Sequence, residues 1–301
     1  MAGANSVKTI LYALCANSAI AVAKLGAAFV TGSSAMLAEG VHSLADAGNQ
    51  GLLLLGLKRS KRPPDDQHPL GYGKTIYVWS FLVAIILFSV GGMYSLIEGW
   101  HKLQDPHDLS WPWLAIGILV FAIIAEGISL RAAVIEINKV RGDRSLWRWF
   151  RQSRASELVV IFGEDLAAEL GLVFALFAVG LTMITGNPVF DALGTLAIGA
   201  LLIIIAVLIG IEVKAMLIGE SVDVLERQRM RSFIEARPEV ASMINMVSMQ
   251  MGKDAMVSLK LQLHAADGGH GLVRAINAFE KDFKHAFPQV VWLFVEPDIA
   301  D

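Results

Sequence analysis

Over 301 residues the chain is 55% hydrophobic and only 18% charged, with a formal net charge of −3 and a mean hydropathy of +0.56. Soluble domains run near 25% charged, so this composition argues against a soluble globule; it also excludes a disordered chain, and the missing basic excess excludes a nucleic-acid-binding one. A single cysteine, Cys15, excludes an internal disulfide or a thiolate cluster.

A membrane-spanning helix needs about 20 mostly apolar residues, and six segments meet that need: 9–30, 36–57, 76–99, 112–136, 157–183 and 190–217. The first is interrupted by Asn17 and Lys24, which is not the pattern of a cleavable signal peptide. Only Thr31-Gly32-Ser33-Ser34 separates it from the second, which predicts a tight antiparallel hairpin. Lys58, Arg59, Lys61 and Arg62 follow the second segment, and Lys139, Arg141, Arg144, Arg148, Arg151 and Arg154 follow the fourth. The loops of the opposite side hold only Lys102, so the positive-inside rule predicts both termini in the cytoplasm.

Beyond residue 220 the pattern changes. Residues 1–219 hold sixteen Lys/Arg and sixteen Asp/Glu, whereas 220–301 hold nine and twelve, so the net charge lies in the tail. A helix is expected over 222–236, and strands over 242–251 and 257–264 around Gly252-Lys253-Asp254. Asp267-Gly268-Gly269 breaks the chain before an amphipathic helix over 272–287 and a last strand over 290–295. The expected architecture is a six-helix transmembrane domain over 1–219 followed by a small α+β cytoplasmic domain, αββαβ, over 220–301.

Ionised groups near a bilayer centre cost roughly 2.5–3.5 kcal/mol each on insertion scales, so they are functional candidates. The second segment carries Glu39, His42, Asp46 and Asn49, whose spacings of 3, 4 and 3 place all four on one helical face. The fifth adds Glu164, Asp165 and Glu169. Asp46 and Asp165 fall at mid-membrane depth. Imidazole plus carboxylates suits Zn2+, with Co2+, Fe2+ or Mn2+ as harder alternatives. The competing reading is that these groups merely hydrogen-bond helices together.

The stretch from Thr31-Gly32-Ser33-Ser34 to Ala38-Glu39-Gly40-Val41-His42-Ser43-Leu44-Ala45-Asp46 resembles the cation diffusion facilitator family, which includes the eukaryotic zinc transporters. So does the loop Asp65-Asp66-Gln67-His68-Pro69-Leu70-Gly71-Tyr72-Gly73-Lys74. The resemblance covers nearly the whole chain. It implies a ferredoxin-like tail, a homodimer in the lipid bilayer, and antiport in which a divalent metal leaves the cytoplasm while protons enter. No catalytic cofactor is implied.

The family's transport site uses i, i+4 pairs on spans two and five. The resemblance gives His42 and Asp46 on span two and Asp165 on span five, but the partner position there is Ile161, which cannot bind metal. The fourth ligand must come from Glu164 or Glu169, with Asn17 or a water behind them. One histidine among carboxylates makes a harder site than two His and two Asp, so Mn2+, Fe2+ and Co2+ stay open beside Zn2+.

A second family site maps to Asp65, His68 and Tyr72, where tyrosine is a poor ligand. The alternative there is a loop shaped by Pro63-Pro64 and capped by its aspartates. In the tail, Ile244, Lys260 and Val295 stand at three positions where metal-sensing members carry ligands. His264, His270 and His285 read as solvated surface groups, so the tail is expected to dimerise by packing alone.

Lys24 is expected to form a structural ion pair and Asp191 to cap a helix, and the resemblance implies an inter-helix ion pair between positions such as Lys74 and Glu220 near the dimer contact. Trp79, Trp100, Trp111 and Trp113 suit aromatic belts, and Gly91-Gly92 and Gly171 with Gly180 suit close helix packing or bending. Metal and protons compete for the same ligands, with His42 titrating near neutrality. The resemblance implies that spans 1–2 and 4–5 rock against a scaffold of spans 3 and 6. An enzyme is disfavoured, because no HExxH motif is present. A transport-inactive scaffold or regulatory subunit stays open because of Ile161.

Overall fold

The computed structural model describes residues 3–106, 111–264 and 268–299. Side chains of 3–13, 15, 16, 34 and 35 lie outside the described set, and so do Cys15 and Asp267. Seven helices come first: α1 (Gly3–Thr31), α2 (Ser34–Ser60), α3 (Thr75–Gln104), α4 (Pro112–Val140), α5 (Leu146–Gln152), α6 (Ser156–Thr185) and α7 (Val189–Ile218). Of these, α3, α4, α6 and α7 are long and apolar enough to cross a membrane. At 29 and 27 residues α1 and α2 match them in length, roughly 40 Å at 1.5 Å per residue. Asn17–Thr31 of α1 is an apolar stretch, continuous with the apolar residues 9–16 before it, and α2 carries the polar stripe.

Local chemistry explains where the helices meet. Gly32 takes a left-handed φ of +68°, which glycine adopts without a Cβ penalty, and the chain reverses there. Ser33 then caps α2, its Oγ accepting from Met36 N at 3.1 Å. The same hydroxyl donates to buried Asp191 Oδ1 at 2.8 Å. Asp191 therefore ties the α1–α2 turn to the first turn of α7, where its charge also suits the helix dipole. Lys102 Nζ donates to Gly32 O at 3.3 Å and secures the same turn.

Glycines set the α3–α7 contact. A Cβ at Gly99 would lie 2.9 Å from Leu196, and one at Gly199 would lie 2.8 Å from Leu96 N. Small residues let the backbones approach this closely. Gly91 and Gly92 lie within a π-helical segment of α3, Leu87–Met93. Gly180 faces open space, so the packing role expected for it is not found. Trp100, Trp111 and Trp113 are exposed, whereas Trp79 packs against Gly56 under the Arg59 guanidinium.

The tail contains α8 (Val224–Glu235), β1 (Val240–Met251), β2 (Asp254–Leu263), α9 (Gly268–Ala286) and β3 (Val290–Pro297). The sheet order is β1-β2-β3, with β1 antiparallel and β3 parallel to central β2. Alternating Ala255, Val257, Leu259 and Leu261 of β2 are buried, as the period-two pattern requires. They pack with Met230, Ile234, Phe279 and Phe283 into a core separate from the one formed by residues of the helical bundle.

The two cores meet through backbone contacts and ion pairs. The β1–β2 turn sits against Gly73, where the Met251 carbonyl leaves no room for a Cβ. Gly252 N donates to Tyr77 Oη at 3.1 Å, and Gln250 N to Glu220 O at 2.8 Å. Arg144 pairs with Asp223 and Arg154 with Glu220, each at 2.8 Å, and Arg151 pairs with Glu212. Glu220 thus belongs to Arg154, not to Lys74 as expected. The basic segment after α4 folds into α5, capped by Ser145, and this brings its arginines to the acidic residues that lead into the tail.

Candidate metal centre

The α2 stripe turns inward. Glu39, His42 and Asn49 are fully buried and Asp46 is 5% exposed. His42 Nε2 lies 3.4 Å from Asp46 Oδ2, the juxtaposition that i, i+4 spacing on one face provides. Neither ring nitrogen of His42 has a hydrogen-bond partner, and neither does Asp46 Oδ1. The π-helical segment of α3 stands beside the ring, since a Cβ at Gly91 would lie 3.7 Å from His42 Nδ1. Such segments recur at functional sites.

From α6, Glu164 and Asp165 are buried against the stripe. Glu164 Oε1 accepts from Asn49 Nδ2 at 2.6 Å, and Asp165 Oδ2 from Ser129 Oγ at 3.0 Å. Glu164, Glu126 and Asp165 all lie within electrostatic range of Asp46. Glu169 stands one turn further along α6, near Gly127. Ile161 packs against the hydrophobic core. Asn17 is buried. Among the described residues, no three His, Cys, Asp or Glu side chains converge tightly enough to ligate one ion. Asp46 thus stands beside His42 and within electrostatic range of Glu164 and Asp165, and the four groups do not close on a point.

Two participants escaped the sequence reading. Glu126 and Ser129 of α4 face this region, but each is a lone polar residue in an apolar run, so no stripe marked them. Lys24 behaves as expected, pairing with Glu39 at 3.4 Å in full burial.

The loop after α2 has the shape of a self-contained cap. Asp65 Oδ1 accepts from His68 N at 2.7 Å and Gln67 N at 3.1 Å, while Oδ2 accepts from Tyr72 Oη at 2.7 Å. The rings of His68 and Tyr72 lie 4.2 Å apart. The Tyr72 hydroxyl, then the His68 contacts, hold the Asp65 carboxyl below its ordinary value, and the same bond raises Tyr72. A depressed carboxylate stabilises the loop fully above the unfolded pKa, and that contribution is lost as pH falls through the lowered value. Tyr72→Phe is expected to return Asp65 upward, read by NMR titration of labelled aspartate carboxyls; an unmoved Asp65 would contradict this bond's role. In the tail, His264, His270 and His285 are exposed, and Lys260 pairs with Asp298 at 3.0 Å.

Comparison with known proteins settles the ancestry. Residues 10–218 match the cation efflux transmembrane domain. The chain belongs to the cation diffusion facilitator family. It is 37% identical over 248 residues to a Xenopus laevis protein named proton-coupled zinc antiporter SLC30A9, mitochondrial, covering 81% of this chain and 44% of that one. Metal tolerance protein C4 of Arabidopsis thaliana is 29% identical, covering 82% of this chain and 55% of its own. Magnetosome protein MamM of Paramagnetospirillum magneticum is 30% identical over 131 residues, covering 42% and 40%. This cation diffusion facilitator spans less than half the length of the first relatives it matches.

Proposed function

We propose that this facilitator exports a divalent metal cation, with Zn2+ preferred, in exchange for protons. The observation that carries this is a set of buried groups in the bundle interior: unpartnered His42 and Asp46 atoms facing Glu164 and Asp165. Buried polar atoms are normally paired, and intramembrane ionisable groups mark ion pathways. The names of the zinc antiporter and metal tolerance relatives point to the same chemistry.

In this reading His42, Asp46 and Asp165 bind the cation, and Glu164 supplies the ligand that Ile161 lacks by exchanging its Asn49 bond for the metal. Glu169 stands one turn outward. Binding requires deprotonated ligands, so the metal displaces protons on the cytoplasmic side and protons displace the metal on the other. Rocking of the bundle around the site alternates its access. Six spans, cytoplasmic termini, a boundary at 219/220, a ferredoxin-like tail and a homodimer complete the proposal.

Proteoliposomes holding an imposed pH gradient test it. Inward-acidic vesicles should accumulate Zn2+ and lose it when the gradient is collapsed, with Mn2+, Fe2+ and Co2+ ranked in the same assay. A folded protein that moves none of these ions would support the scaffold reading instead.

A further inference from the structure

Lys24 is the only fully buried lysine among the described residues. Its ammonium donates to Ser43 Oγ at 2.6 Å and lies 3.4 Å from Glu39 Oε2. Close approach of α1 and α2 makes that reach possible, since a Cβ at Gly40 would lie 3.1 Å from Leu25 N. The second oxygen of Glu39 has no partner and faces Gly171 of α6. Glu169 Oε2 is also unpartnered, near Gly127 and in range of buried Glu126. Glu39, Glu126 and Glu169 all lie within the field of Lys24, and so do His42 and Asp46.

Glu39 therefore pairs with the ammonium directly, while Glu126 and Glu169 feel its charge at longer range, about one helical turn from the proposed cation ligands. Acidic groups in a low-dielectric interior demand a countercharge. A free divalent ion would fill that demand wherever the protein did not. A tethered ammonium does so at an effective concentration that no cellular trace metal matches.

We propose that Lys24 is a resident counter-cation that limits the bundle to one divalent ion. It occupies the acidic station at Glu39, Glu126 and Glu169, and so confines the metal to the level of His42, Asp46 and Asp165. Lys24 touches no proposed ligand and acts through charge, as a specificity-determining residue. This inference rests on the metal-centre reading above.

Zn2+ titration calorimetry on the purified full chain in detergent tests it. Wild type should bind one ion per chain and Lys24→Arg likewise, whereas Lys24→Met should bind two. Glu39→Gln strands the ammonium near His42 and should weaken binding about tenfold through uncompensated repulsion. Lys24→Met combined with Glu39→Gln restores the original charge balance and should return one ion at near wild-type affinity. A purely structural ion pair would not produce this pattern of signs. The proposal is overturned if folded Lys24→Met binds one ion, or if Glu39→Gln binds as tightly as wild type. The Glu39→Gln single and double variants decide alone if Lys24→Met does not fold. A wild type that binds no ion would overturn the metal-centre reading itself; one ion in wild type and one in Lys24→Met overturns only the role of Lys24.

Discussion

Asp46→Asn and Asp165→Asn should each lower proton-driven metal flux by about 100-fold or more while leaving the protein folded. Both substitutions preserve shape and hydrogen-bonding capacity but remove the anionic ligand, with its exchangeable proton, that the proposed function assigns there. Losing even an outer hydrogen-bond partner of a metal ligand typically costs about 10–100-fold in affinity, so losing the ligand costs more. Asp46 lies 3.4 Å from His42 and Asp165 is held by Ser129; Glu164, bonded to Asn49, is already a ligand in the proposed reading and so does not stand in for either. Ser129→Ala should cost less, because it frees the Asp165 carboxylate without removing it. Parallel flux and size-exclusion measurements check the set. Near-normal flux through either Asn variant would remove that residue from the site.

Gly73→Ala should loosen the tail from the bundle. The position of the new Cβ is already taken by the Met251 carbonyl of the β1–β2 turn. Backbone cannot rotate away as a side chain can, so the docking should weaken by about 1–3 kcal/mol, the usual range for overpacking. Tyr77→Phe, which removes the acceptor for Gly252 N, should cost about 1 kcal/mol. Hydrogen exchange at residues 249–254 reads both effects, with Gly180→Ala, in open space, as the harmless control. Unchanged exchange in Gly73→Ala would mean that the ion pairs Arg144–Asp223 and Arg154–Glu220 hold the junction alone.

The features that could be read from sequence are those governed by short-range periodicity. Spacings of 3 and 4 placed Glu39, His42, Asp46 and Asn49 on one face, and the structure buries that face as a unit. Strict alternation marked β2, and turn chemistry at Gly252 marked its pairing with β1. Partnerships across helices were not readable. Arg154 takes Glu220 because α5 folds the basic segment back under the bundle, and nothing in the spacing of either residue says so. Glu126 was hidden for the same reason, since an acid ten residues from the next one on its helix, Glu136, forms no stripe and gains meaning only from what packs opposite. Helix ends ran longer than their apolar segments, as α3 does in reaching Gln104, because backbone hydrogen bonding continues past the hydrophobic slab.

Zinc-edge X-ray absorption on the metal-loaded protein, in wild type and His42→Ala, tests the central claim most directly. The account predicts one imidazole among oxygen ligands and no sulfur in wild type, with the imidazole signal lost in the variant. An imidazole signal that persists in His42→Ala would place the metal on another histidine, such as exposed His68, His101, His264, His270 or His285, and would contradict a transport site built on α2 and α6.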